Sequence, residues 1–238
     1  MKANEPTPAR KIVTPKKAAR VSARRSANRN SSNGATRDPE RTATTILAAA
    51  VQEFAEKGYG GARVDAIAER SGANKRMIYH YFGDKEALYL AVLEQIYAGI
   101  RSAELQLNLR DLEPKPAMHK LVRFTWDYFL DHPEFLSLLH TENLHKAKYL
   151  KRSARAADLN SPVIALISEL LQRGVAKGEF RKGIDPLKLY ITIASIGFFY
   201  LSNRWTLSLI FRRDLTEDAE IKAWGNHIIS VIDSFICV

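Results

Sequence analysis

Between residues 38 and 238, apolar side chains recur three and four positions apart, and helix-breaking residues stand where such runs begin or end. That pattern prescribes helices. Ile46, Ala50 and Phe54 repeat at i, i+4 and i+8 in a first helix over about 41–57, closed by Gly58. A short helix follows over about 64–71, with Ile67 and Ala68 inward and Gly72 at its end. Asn74 is placed to cap a third helix over 75–82, and Asp84 a fourth and longer one from Lys85. Further starts are marked by proline: Pro116, Pro133, Pro162 after Ser161, and Pro186 after the cap Asp185. No alternating run is bounded by turn residues, so the expected fold is all-α with no sheet.

Charge divides the chain more sharply than hydropathy does. Of the 36 Lys/Arg and 26 Asp/Glu, residues 1–37 hold ten Lys/Arg and one acid, Glu5, so the formal charge of +10 resides almost wholly there. The same stretch has no aromatic residue and only three large aliphatics, Ile12, Val13 and Val21. Such a segment buries too little apolar surface to offset its ordering entropy, and a disordered tail is expected. Three uses stay open for it: a passive solvated tail, a basic arm that tracks DNA phosphates, or a transit peptide. The single cysteine, Cys237, excludes an intramolecular disulfide and suits a reducing cytoplasm. The longest uncharged stretch, Leu189 to Asn203, has fifteen residues. As a helix it reaches ~22 Å, short of a ~30 Å membrane core, so no membrane association is expected.

Val64–Phe82 reads VDAIAERSGANKRMIYHYF: helix, a three-residue turn, then a second helix. This is the spacing of a helix-turn-helix, whose second helix enters the major groove by its N-terminal end. Lys75, Arg76 and Met77 occupy the first turn, where base edges would be met, and Asn74 caps it. Tyr79 and His80 lie one turn on, within reach of the backbone, and Lys85 opens the next helix as a second phosphate clamp. Ile78 and Phe82 face the opposite way, into a three-helix core. The competing view is that these basic residues are an ordinary solvated surface. Residues 38–85 hold seven Lys/Arg and seven Asp/Glu, so placement and not net charge favours DNA.

The stretch from Ile46 to Leu93, with its ordered "A…F…GY", "IA…SGA" and "IYHYFGDKEALY" elements, resembles the tetracycline-repressor (TetR) family of bacterial regulators. The resemblance implies a helix-turn-helix domain followed by a helical effector-binding and dimerisation domain. It also implies that Lys75 contacts base or phosphate and that Tyr79 and Lys85 contact phosphate. Two departures stand out. The family usually has Thr or Ser before its second helix, where this chain has Ala62 and Arg63; Arg63 could replace the phosphate contact. In the recognition helix a small residue followed by Thr or Ser is replaced by Arg76 and Met77. Arg76 suits bidentate reading of guanine and Met77 a thymine methyl. The resulting division is a basic tail over 1–37, a DNA-binding domain over 38–98, and an effector and dimerisation domain over 99–238.

The helix from Pro186 is apolar on every side, and the last one repeats Ile221, Trp224, Ile228, Val231 and Phe235. A helix apolar all round is buried all round, so a second copy of the chain is the expected cover, giving a homodimer through the last two helices. Polar groups inside apolar segments indicate an effector site: Trp126, His140, Asn143, Tyr200 and Asn203. The alternative is that these groups satisfy one another in the core. No HExxH, phosphate-cradling loop or nucleophile elbow is present, His140 and His145 do not share a helix face, and Asp and Glu scatter over faces expected to be exposed. Neither catalysis, a cofactor nor a metal is therefore expected. The reading is a ligand-responsive repressor that binds a near-palindromic operator as a dimer. An architectural protein that binds nucleic acid non-specifically through its basic tail is the alternative.

Overall fold

The computed structural model of the chain describes residues 39–238; the basic segment 1–37 lies outside them. The described residues belong to one compact unit and contain nine α-helices: α1 (Pro39–Gly61), α2 (Val64–Ser71), α3 (Lys75–Phe82), α4 (Lys85–Leu105), α5 (Pro114–Asp131), α6 (Pro133–Leu144), α7 (Ala156–Ala176), α8 (Pro186–Phe211) and α9 (Asp218–Ile236). Single 3-10 turns at Leu109–Asp111 and Leu150–Arg152 join α4 to α5 and α6 to α7. Among the described residues the sole β feature is an isolated bridge between Phe180 and Cys237. The all-α expectation holds.

Local chemistry explains most of the boundaries. Gly58 takes φ 64°, ψ 173° and breaks α1 before its last residues, a positive φ that costs glycine nothing. Asp84 Oδ1 accepts from the Ala87 N–H at 2.7 Å, and Asp185 Oδ1 accepts from Leu187 and Lys188, each satisfying amides that a helix start leaves open. Two expected starts move. α5 begins at Pro114, two residues before Pro116. Pro162 does not open its helix but lies inside α7, as its seventh residue. Its missing N–H removes one intrahelical bond near the start of a 21-residue element, and the helix tolerates that loss.

One contiguous core runs through the molecule. α1 packs on α2, α4 and α6, and α5 is the central strut, touching α7, α8 and α9. At the junction of the first four helices with the rest, Phe54, Tyr59, Tyr89 and Tyr149 form an aromatic cluster with centroid distances of 4.4–6.3 Å. The Tyr89 hydroxyl is buried without a hydrogen-bond partner among the described residues, and burial holds its proton on well above the usual phenol range.

The acids do not all lie on exposed faces: Glu53, Glu104 and Glu142 are buried. Two of them replace missing backbone partners. Glu53 Oε1 accepts from the Arg63 N–H, and Glu142 Oε1 accepts from the N–H groups of Tyr149 and Leu150. Buried carboxylates persist where they are hydrogen-bonded in this way.

Close packing also fixes small residues. A Cβ on Gly174 would fall 1.9 Å from Cδ2 of the buried Phe180 ring. Gly174→Ala is therefore expected to cost ~1–3 kcal/mol by overpacking. That corresponds to a Tm lower by roughly 2–12 °C for a chain of this size, measurable by thermal denaturation monitored by circular dichroism. An unchanged Tm would mean that Phe180 has room to swing aside.

Candidate functional site

The turn Gly72–Asn74 sets α3 across α2. Gly72 adopts φ 65°, ψ 12°, and its N–H bonds to the Glu69 carbonyl, closing α2 in the left-handed conformation. Two residues later Asn74 is extended, and its Oδ1 accepts from the Met77 N–H at 2.9 Å. Ile78, 1% exposed, pins α3 to the core beneath, and Phe82 packs partly buried against the same core. α3 is short, and its bearing is fixed by this anchor and by its contacts with α2, α4 and α1.

The opposite face is open. Asn74, Lys75, Arg76, Tyr79 and His80 are exposed, and Met77 is half-buried. Among the described residues no ion pair engages Arg76. Lys75 is less free: its Nζ lies 2.9 Å from Asp65 Oδ1 on α2, and the Asp65 carboxylate holds the ammonium above its usual range. Lys85 is half-buried, its Nζ 4.8 Å from the centre of the Tyr59 ring. Burial lowers its pKa, partly offset by Glu53.

Arg63 precedes α2 in extended conformation and offers no side-chain cap. Its own backbone N–H is held instead by the buried Glu53, and the residue is exposed. Glu53 also lies 3.7 Å from Arg70, which pairs with Glu56. Glu53 is the residue that sequence reasoning missed here. It sits in phase with Ala49, Ala50 and Phe54 on the buried face of α1, and that phase was the available signal.

The five residues expected at an effector site do not converge on one cavity. Trp126 and Tyr200 meet in the core with rings 5.7 Å apart, Tyr200 stacks on Trp224 at 4.6 Å, and its hydroxyl donates to the Leu215 carbonyl. His140 and Asn203 border a separate cleft of about 390 Å³ between α5, α6 and α8. Asn143 is exposed at the end of α6. Asn143 and Asn203 each donate to a carbonyl of their own helix four residues back.

Among the described residues no helix is long and apolar enough to cross a membrane. Nor do three or more His, Cys, Asp or Glu side chains gather there to hold a metal ion.

Comparison with known proteins agrees with this geometry. Residues 46–92 match the family described as bacterial regulatory proteins, tetR family, and residues 114–232 match the tetracyclin repressor-like C-terminal domain. The chain is similar to the HTH-type transcriptional repressor NicS of Pseudomonas putida, 40% identical over 185 residues that span 78% of this chain and 87% of NicS. It is also similar to the HTH-type transcriptional regulator RutR of Escherichia coli K12, 35% identical over 62% of this chain and 68% of RutR. In fold it resembles the crystal structure of a bacterial regulatory protein in the tetR family from Rhodococcus RHA1. There the TM-score is 0.66 at 18% identity, over 83% of this chain and 98% of the other. With both halves matched and most of a 40% identical repressor spanned, the chain belongs to the TetR family and is a helix-turn-helix transcriptional regulator.

Proposed function

We propose that the chain is a repressor whose homodimer grips a near-palindromic operator with two copies of α3 and lets go when a small molecule binds the helices beyond residue 98. The observation that carries this reading is the anchored recognition helix. Ile78 fixes its inner face while Arg76, with no ion pair among the described residues, projects from its first turn. A guanidinium so placed suits the O6/N7 edge of guanine in the major groove. Lys75, Met77, Tyr79 and His80 complete the base- and phosphate-facing surface, with Arg63 and Lys85 flanking it. In this reading Lys75 exchanges Asp65 for a phosphate when DNA arrives.

The remaining assignments belong to the same proposal. Residues 38–98 form the reading head and 99–238 the effector and dimerisation part. α4 runs without a break from Lys85 to Leu105, ~30 Å at 1.5 Å per residue, and joins the two parts. A displacement at its far end therefore reaches Lys85 beside the recognition helix. The effector acts only through its difference in affinity for the DNA-competent and DNA-incompetent arrangements. Repression, rather than activation, is supported by the name of the NicS relative. The site of action is the cytoplasm.

The test is selection of genomic fragments at ~150 mM salt, a concentration at which non-specific binding is weak, by the full chain and by the chain lacking residues 1–37. Both are expected to recover one near-palindromic sequence, with half-sites about 34–36 Å apart. A full-length pool without a motif, together with loss of binding on truncation, would instead make the basic segment the DNA-binding element and the protein architectural.

A further inference from the structure

Arg204 stands where the helix pattern calls for an apolar side chain. Along α8 the buried positions Ile193, Gly197 and Tyr200 recur four and three residues apart, and Arg204 is the next in phase. It is half-buried, and its Nε is shut off from water with no hydrogen-bond partner among the described residues. Nor does an ion pair engage it there. Glu220 and Asp214, the acids whose charge is felt with its own at the Tyr200 hydroxyl, are held by Arg213 and by Thr216. The Trp205 ring lies 5.7 Å from the guanidinium carbon, but an indole offers a π face and no lone pair.

The other arginine set into the core shows the contrast. Arg101, 4% exposed on α4, has Glu104 Oε2 at 2.8 Å from Nη1 and donates from Nη2 to the Tyr190 hydroxyl at 2.9 Å. Arg204 has no such counter-charge. Setting a partly desolvated cation in the buried stripe without an acceptor is costly, and an apolar residue would continue that stripe at less cost. Its presence therefore points to an anion from outside the fold. The N–H groups on Nη1 and Nη2 are the donors left to meet it.

Arg204 lines the cleft of about 390 Å³ between α5, α6 and α8 that His140 also borders. That volume lies in the range of small-molecule sites. Phe129, Leu130, Leu136, Phe198 and Leu201 give the cleft apolar walls, and no Asp or Glu lines it. Ser137 Oγ and Asn203 Nδ2 already donate to backbone carbonyls. Beside Arg204, the ring of His140 and the hydroxyl of Ser202 remain as donors on its lining.

We propose that this cleft binds a small monocarboxylate, with the carboxylate on the Arg204 guanidinium and an apolar body against Phe129, Leu136 and Phe198. The inference rests on the reading that residues beyond 98 hold an effector, and it names that effector's chemical class. A guanidinium fork matches the two oxygens of a carboxylate. One permanent cation suits one negative charge, and the apolar walls suit the rest of the molecule. Ser137, on the α6 wall, donates to the Ala55 carbonyl of α1 at 2.6 Å. A ligand seated against α6 thus lies one contact away from the helices that carry α3.

The experiment is calorimetric titration of the full chain with benzoate and hexanoate, and with their uncharged isosteres benzamide and hexanamide, at pH ~7.5, where a simple carboxylic acid is ionised. At least one acid is expected to bind ~10-fold or more tightly than its amide, the effect of a charge-assisted hydrogen bond. Arg204→Met keeps the apolar stem and should lose that preference. Ser202→Asp changes an exposed position on the cleft lining, so it decides the matter if Arg204→Met fails to fold. Its carboxylate competes for Arg204 and should weaken the acid ~10-fold or more while sparing the amide. No binding of either acid up to ~10 mM, acids bound no better than their amides, or a preference that survives in the folded variants overturns the proposal.

Operator affinity measured on the same samples keeps the two readings apart. Operator binding without binding of either acid overturns the carboxylate site and leaves the repressor standing. Acid binding that leaves operator affinity unchanged supports the site and removes its role as the effector switch.

Discussion

Arg76→Ala is expected to erase most of the discrimination between operator and unrelated DNA while leaving the fold intact. Arg76 is exposed, makes no ion pair among the described residues and supports no packing contact in the core. Its removal therefore leaves the isolated protein nearly unchanged in stability, within ~0.5 kcal/mol for such a surface position. On DNA the loss is that of a bidentate base contact, ~1–3 kcal/mol or roughly 5- to 150-fold per half-site, and a dimer loses it twice. Lys75→Ala makes the informative contrast. The lysine must first leave Asp65, 2.9 Å away, so part of its phosphate attraction is already spent. Its loss should weaken operator and random DNA alike and lower the salt slope by about one. Titrations of both variants against operator and scrambled duplex at two salt concentrations check this. A uniform loss for Arg76→Ala would make it a phosphate contact and move base reading to Met77 or its neighbours.

Local rules account for what was legible in the sequence. Asn74, Asp84 and Asp185 cap the helices their positions indicate, because a cap depends on only three or four consecutive residues. The helix-turn-helix was legible for the same reason: its turn, cap and inward Ile78 lie within one short window. Arg101, Glu104 and Glu142 were not. A charged residue interrupts the apolar pattern by which burial is read, and its partner can be distant in sequence, as Tyr190 is from Arg101. Glu142 escapes for a further reason, since it serves backbone amides of a loop seven and eight residues away. Pro162 misled because proline marks a first turn only statistically. Tyr200 and Trp126 did prove to be neighbours, but Asn143 and Asn203 lie at half-buried or exposed positions and bond to their own helices. An apolar sequence context does not by itself fix which way a helical side chain points.

Phe199→Glu is expected to split the dimer. On α8, Leu187, Ile191 and Phe199 fall on one stripe at multiples of four residues and are each more than half exposed, while Leu189, Ile193 and Tyr200 of the same helix face the core. Phe235 on α9 is also close to half exposed. Large apolar side chains left exposed on these two helices are the expected dimer surface, and two-fold symmetry would make each residue count twice. Covering one such side chain is worth ~1.5–3 kcal/mol, so removing a pair of phenylalanines is expected to raise the dimer dissociation constant by ~10²- to 10⁴-fold, and the two buried carboxylates add to it. Operator affinity should fall with it, since a monomer holds only one half-site. The variant chain should still fold, because Phe199 contributes little to the protomer core. Sedimentation equilibrium at micromolar protein, with circular dichroism as the control for folding, measures the effect. A folded Phe199→Glu chain that stays dimeric would move the contact toward the other exposed apolar group on α8, Trp205 with Leu209, Ile210 and Phe211. The separation of the two recognition helices would then be set from the far end of that helix.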